Sequence, residues 1–138
     1  MPPFALFELT CRECSGDIFD VREGVNKYGA IGVRALCLRC GRERDVFNAK
    51  TDGYDGAHGH NDFLGLSVSW EPLRTETGTE VKGVQLRAGC VYNNPLIEMI
   101  QDASKLGTKP QNLFDWFHLL SRTAGAPGWE WVWEFECA

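Results

Sequence analysis

Apolar and polar positions alternate with a period of two in several stretches of this 138-residue chain. Such alternation puts successive side chains on opposite faces of an extended backbone, so each stretch predicts a strand with one buried face. Phe4-Ala5-Leu6-Phe7-Glu8-Leu9 and Ile31-Gly32-Val33-Arg34-Ala35-Leu36 are two short cases. Leu64, Leu66, Val68 and Trp70 alternate with Gly65, Ser67 and Ser69; after the turn-forming RTETGTE at 74–80, Val84, Leu86, Ala88, Cys90 and Tyr92 alternate again. These two runs together predict a hairpin. The last run is the clearest: Trp129, Trp131, Trp133, Phe135 and Cys137 take one face, and Glu130, Val132, Glu134 and Glu136 the other. A one-residue slip would put tryptophans into water, so a firm register is predicted, with Trp131 and Trp133 in the core.

Two stretches change period. Asn93-Asn94-Pro95 carries an Asn cap and a Pro at the first helical position, and Leu96, Met99, Ile100, Ala103 and Leu106 then fall on one helical face before Gly107. Thr108-Lys109-Pro110 predicts the start of a second helix, whose stretch Leu113-Phe114-Asp115-Trp116-Phe117-His118-Leu119-Leu120 is apolar nearly all round and so largely buried. NAKTDGYDGAHGHND at 48–62 has almost no apolar content and predicts a loop or linker. The expected fold class is therefore α+β: an N-terminal four-cysteine module at 1–47, the linker at 48–62, and at 63–138 a small antiparallel sheet with two helices packed on one face.

Composition adds the means to fill a core: 43% of residues are apolar, with five Trp and eight Phe. No apolar run is long enough to span a membrane, and the start lacks the basic and long apolar regions of a secretory signal. The expectation is a soluble, cytoplasmic protein with no membrane partner. The net charge of −5 is uneven, about +1 over residues 1–50 and −6 over 51–138. An acidic chain repels phosphate backbones and attracts basic partners.

The chemistry lies in two similar stretches, LTCRECSGDIF and LCLRCGRERDV. Cys11-x-x-Cys14 and Cys37-x-x-Cys40 supply four thiolates, which satisfy a tetrahedral Zn²⁺ with no open position. One such knuckle is only half a tetrahedron, which accounts for the repeat. A tight Cys-x-x-Cys turn asks for positive φ just past the second cysteine, where Ser15-Gly16 and Gly41 stand. Through "LTCRECSG" and "LCLRCGRE" the first 47 or so residues resemble the zinc ribbons. That resemblance implies a three- or four-stranded ribbon with one structural Zn²⁺ per chain, held by Cys11, Cys14, Cys37 and Cys40. An iron centre in the same four sulfurs, or free thiols, are the alternatives. A pair of thioredoxin-like redox motifs is not expected, because neither knuckle opens a helix in a βαβ unit.

The smaller signals admit two readings each. Arg34, Arg39, Arg42 and Arg44 either contact phosphate, making a nucleic-acid-binding zinc ribbon, or offset the negative charge of a metal held by four thiolates; the second is favoured. His58, His60 and Asp62 are either half a metal site, as in a metal-dependent hydrolase, or residues of a polar surface loop. The strand–strand–helix core of His-Asn-His nucleases, which often carry paired Cys-x-x-Cys zinc, is not found around them. His118 reads as a core or edge histidine, and Cys90 and Cys137 as packed thiols. Glu130, Glu134 and Glu136, with Glu71, Glu76 and Glu80, make either a docking face for a basic partner or charged strand edges; Trp129 would anchor such a face. No catalytic set is assigned. The leading expectation is a non-enzymatic zinc-containing interaction protein, such as a small inhibitor, immunity-type protein or assembly subunit, whose partner is another, basic, protein.

Overall fold

A computed structural model describes residues 4–53, 56, 61, 67–91 and 114–136. Eight strands, in chain order, are β1 (Phe4–Glu8), β2 (Phe19–Asn26), β3 (Gly29–Cys37), β4 (Glu43–Asn48), β5 (Ser69–Pro72), β6 (Val84–Val91), β7 (Trp116–Thr123) and β8 (Glu130–Glu136). They form one antiparallel sheet in the order β4-β3-β2-β6-β7-β8, with β1 paired to β6 and β5 to β2. Strands from both halves of the chain thus share a sheet. The junction between them is β6, which pairs with β7 along its whole length, with β1 through residues 87–91, and with β2 at Phe19↔Val84.

The sheet curls so that its ends meet. Phe47 of β4 is fully buried, and its ring stacks on Phe117 of β7 at 4.8 Å between centroids and packs against Trp133 and Phe135 of β8 at 5.5 and 5.3 Å. These aromatic contacts join the first and last strands in the strand order. The core between them is completed by Val21, Ile31, Val33, Leu86 and Leu119. Burial on this scale is the main stabilising term of the fold, at about 1.5–3 kcal/mol per large apolar side chain.

Three expectations are corrected. The α+β class with two helices on one face does not hold: apart from Gly53 and Gly56, no described residue is helical. The stretch expected as the second helix enters strand β7, and its continuous apolar character has a plain cause. Residues 117–121 are buried on both faces: Phe117 and Leu119 lie in the core with Phe47, and His118 on the other face is covered by the rings of Trp116 and Trp131. A strand buried on both faces shows no alternation and looks like a buried helix. The first expected helix, from Pro95 to Gly107, lies outside the described residues.

The second correction concerns pairing. The expected hairpin between 64–70 and 84–92 is absent among the described residues: β5 pairs with β2 instead, and β6 with β7, β1 and β2. Trp70 of β5 explains part of that choice. Gly24 and Gly32 stand opposite each other in β2 and β3, and the Trp70 ring covers both; a Cβ on Gly24 would lie 2.9 Å from it. Arg34 then caps the indole at 3.8 Å.

The third correction is in β8. Trp133 is 8% exposed, but Trp131 is 63% exposed. Leu119 pairs with Trp133 while Leu120 pairs with Trp131, so β8 carries one extra residue, Val132, at this point. Such a bulge shifts the register by one and moves every residue beyond it to the other face. Trp131 therefore joins His118 and Leu120 on the outer face, and Glu130 is separated from Glu134 and Glu136. No alternation pattern announces a bulge.

Candidate metal centre

The two knuckles connect β1 to β2 and β3 to β4, and the sheet register brings them together: Phe19, which opens β2, pairs with Cys37, which ends β3. The Leu38 amide also donates to the Ile18 carbonyl at 3.0 Å. Each knuckle is closed by the same two backbone bonds. Cys11 N donates to Gly16 O at 2.7 Å and Ser15 N to Cys11 O at 2.8 Å; Cys37 N donates to Arg42 O and Gly41 N to Cys37 O, both at 2.8 Å. The residue after the second cysteine is left-handed in both, with φ of 62° at Ser15 and 78° at Gly41. Positive φ thus falls where the sequence places it, but in the first knuckle on Ser15 rather than Gly16.

Four sulfurs converge at this point. The Sγ atoms of Cys11, Cys14, Cys37 and Cys40 all lie within 4.8 Å of one another. Cys11 and Cys40 are 3.6 Å apart and Cys14 and Cys37 3.5 Å, both contacts running between knuckles. Four sulfurs bound at ~2.3 Å around a tetrahedral ion stand ~3.8 Å apart, so the spacing fits such an ion. No pair is bonded as a disulfide, whose sulfurs would be ~2.05 Å apart.

The backbone is arranged to hold negative charge there. The Cys11 thiol is lowered to about 6, first by the Cys14 amide and then by that of Glu13, against the effect of burial. Cys37 is lowered in the same way, first by the Cys40 amide, with the Arg39 amide helping against burial. Cys14 goes the other way, up to about 12: the Gly16 amide lowers it, but burial and the sulfurs of Cys37, Cys40 and Cys11 together outweigh that bond. Four sulfurs this close resist a full set of negative charges until a cation compensates them. The donor set, the spacing and the amide bonds all fit a metal ion, and the four cysteines could hold one.

Gly16 completes the cage. A Cβ there would lie 3.1 Å from Cys37 Sγ, 3.2 Å from Cys14 Sγ and 3.1 Å from Arg39 Cβ. Only a residue without a side chain leaves both sulfurs where they are.

Most of the arginines around the second knuckle are tied to carboxylates. Glu13, between the cysteines of the first knuckle, accepts Arg44 and lies 3.9 Å from Arg42. Arg34 bonds Asp45 at 2.7 Å and lies 3.9 Å from Glu43, which itself holds Arg22 at 2.6 Å. Arg39 is exposed. An open groove of about 850 Å³ passes the knuckles, with Arg34, Arg44, Glu43 and Asp45 among its walls, so its lining carries both signs of charge.

The remaining candidates are scattered. His58, His60, Asp62 and Cys137 lie outside the described residues. Cys90 is buried on β6, and burial, with Asp52 nearby, pushes its thiol to about 12. His118 is buried as expected, though on a strand: it stacks between Trp116 and Trp131, at 5.6 and 4.6 Å between ring centroids, with Glu134 3.5 Å from Nδ1. Burial lowers its pKa and Glu134 opposes that shift. Trp129 is held between the guanidinium groups of Arg87 and Arg122, at 4.2 and 4.5 Å. Glu130, Glu134 and Glu136 are all exposed.

Sequence reasoning named Glu71, Glu76 and Glu134 for an acidic face but missed Glu23 and the grooves that gather them. Glu23 of β2 stands directly opposite Glu71 of β5. Burial raises the pKa of Glu23, a hydrogen bond from Trp133 opposes the rise, and the Glu71 charge adds to it. A groove of about 320 Å³ holds both carboxylates; a second, of about 390 Å³, is lined by Glu76, Trp131 and Glu134, and Arg74 lines both. No local signal could have shown this, since it depends on the unexpected β2–β5 pairing.

The chain matches no protein-family model, no curated protein and no solved structure. The cage therefore has to be read from its own geometry. Among the described residues, no helix is long and apolar enough to cross a membrane.

Proposed function

We propose that this chain is a non-enzymatic binding protein that holds one structural Zn²⁺ in the Cys11/Cys14/Cys37/Cys40 cage and recognises a basic protein. The observation that carries this reading is the cage itself: four sulfurs within 4.8 Å of one another, drawn from two knuckles of identical backbone design. Four protein thiolates fill a tetrahedral ion and leave no position for water or substrate, which is the arrangement of a structural rather than a catalytic zinc. Its work is to join the loop after β1 to the loop after β3.

Two observations support a basic protein over nucleic acid. Arg34, Arg42 and Arg44 already face Asp45, Glu43 and Glu13, so contact with phosphate would have to displace those carboxylates. On the other side, a largely exposed Trp131 lines a groove with Glu76 and Glu134, beside the opposed pair Glu23 and Glu71. An exposed indole next to carboxylates suits a lysine or arginine side chain, by cation–π attraction and by charge.

The test has two parts. Elemental analysis of the purified, reduced chain should find one zinc and no iron per chain. The tagged chain, exposed to native lysate with and without nuclease, should retain a basic protein in both cases and lose it with Trp131→Ala or Glu134→Lys. Bound material that disappears on nuclease treatment would overturn the protein-partner reading and move the weight to the arginines. A chain without metal would overturn the zinc.

A further inference from the structure

Two S–H···S contacts cross from one knuckle to the other, Cys11 to Cys40 at 3.6 Å and Cys14 to Cys37 at 3.5 Å, beside the interactions of Cys11 with Cys14 and of Cys37 with Cys40 inside each knuckle. The amides of Glu13 and Cys14 hold the Cys11 sulfur, and those of Arg39 and Cys40 hold the Cys37 sulfur. Cys40 is exposed, whereas Cys11 and Cys37 are buried and Cys14 is intermediate. An oxidant arriving from solvent therefore meets Cys40 first, and the Cys11 sulfur stands within reach of it.

We infer that the cage is an oxidation site that closes across the knuckles, pairing Cys40 with Cys11 and Cys37 with Cys14, so that two disulfides replace the metal as the link between the two loops. The inference uses the same four sulfurs as the zinc reading but does not need the ion. Pairing within each Cys-x-x-Cys would leave the knuckles untied; pairing across them keeps the β1–β2 loop fastened to the β3–β4 loop.

The oxidant is a peroxide. The Cys40 thiolate attacks one oxygen of hydrogen peroxide, the O–O bond breaks, and the departing hydroxide takes a proton to become water; Cys40 is left as a sulfenic acid. The Cys11 thiolate then attacks the Cys40 sulfur. The S–O bond breaks, the S–S bond forms, and hydroxide again leaves as water with a proton. Cys14 and Cys37 follow with a second peroxide. In all, four thiolates give four electrons to two peroxides, four protons are consumed, and four waters form. A divalent ion in the cage is released unchanged.

The sequence makes the pairing directly readable. Arg12 lies between Cys11 and Cys14, and Arg39 between Cys37 and Cys40, so trypsin places the four cysteines on four different peptides. The full chain is first assayed for zinc in the reduced state. It is then treated with hydrogen peroxide, alkylated, digested without reductant and mapped by mass spectrometry. The expected products join the Cys11 peptide to the Cys40 peptide and the Cys14 peptide to the Cys37 peptide, with loss of all four alkylatable thiols. Cys40→Ser should still form the second pair and leave Cys11 open to alkylation. The oxidised chain should melt above the reduced, metal-free chain, because the bridges close loops between residues 29 and 23 apart in sequence.

Peptides joined 11–14 and 37–40, bridges to Cys90, bridges between chains, or sulfinic acids without disulfides would each overturn the inference. So would an oxidised chain that melts with the reduced, metal-free one. The zinc assay separates this from the functional reading: cross-knuckle pairs in a chain that binds no zinc would sink the zinc and leave the inference standing. Zinc followed by pairing within the knuckles would do the reverse.

Discussion

Replacing Gly16 with Ala tests the cage with the smallest possible perturbation. The φ of Gly16 lies outside the left-handed region, so alanine fits the backbone there, and the amide that donates to Cys14 Sγ at 3.4 Å is kept. What changes is space. The new methyl would stand 3.1 Å from Cys37 Sγ and 3.2 Å from Cys14 Sγ. Ordinary non-bonded contacts lie at ~3.5–4.0 Å, so both sulfurs must retreat by roughly 0.3–0.9 Å. Metal–ligand distances tolerate only about 0.2 Å. The two sulfurs belong to different knuckles, so no single shift of one loop relieves both. Disturbances just outside a metal's ligands typically weaken binding about 10–100-fold, or roughly 1.4–2.8 kcal/mol. The assay is competition against a chromophoric chelator, with thermal unfolding of the metal-free chain alongside. Gly41→Ala is the control: its Cβ meets nothing within 4 Å, but its φ is +78°. It should therefore destabilise metal-free and metal-loaded chains alike by about 1–2 kcal/mol. Gly16→Ala should lower metal affinity and leave metal-free stability nearly unchanged. If Gly16→Ala bound zinc as tightly as the parent chain, the sulfurs would not be the ligands this geometry makes them.

Zinc affinity should rise with pH between about 6 and 9, because Cys14, raised to about 12, must give up a proton on binding while Cys11, lowered to about 6, has already lost its own; chelator competition across that range would show a flat profile if thiolates were not the ligands. His118 binds a proton less readily when folded, so the unfolded chain takes up more protons once pH falls below its ordinary value of ~6.5. Stability that is complete above that pH should be lost as pH falls through it toward the lowered folded value, and urea unfolding of His118→Phe should lose that part of the decline. Phe47→Ala and Trp133→Ala should each cost about 3–5 kcal/mol, since both side chains are buried in the aromatic core. Trp131→Ala, on the exposed side of the bulge, should cost much less; equal losses at 131 and 133 would refute the bulge.

The knuckles were legible from the sequence because their geometry is local. Cys-x-x-Cys followed by a residue able to take positive φ specifies a turn whose hydrogen bonds all fall within six residues, so Cys11, Cys14, Cys37 and Cys40 could be named together. The strands at 4–8, 84–91 and 130–136 were legible as strands from their alternation, but the buried face it predicts held throughout only in 84–91: Leu6 and Phe7 are both exposed, and Trp131 is turned to solvent. What the tertiary structure alone decided are pairings over long distances in sequence: β5 with β2, β1 with β6, and β7 as an interior strand. Residues 117–121 are buried without a break, the polar His118 and Ser121 included, and a mostly apolar stretch of this kind is common to a strand covered on both faces and a buried helix. Trp131 and Trp133 look alike in the sequence, and only the extra residue at Val132 sends one to solvent and the other to the core. The carboxylates of Glu23 and Glu71 face each other because β5 pairs with β2, a pairing to which the ring of Trp70 over Gly24 and Gly32 contributes. Local turn chemistry is written into neighbouring residues; the choice of strand partner is made by whichever arrangement buries the aromatic side chains together, and no short window of sequence contains that comparison.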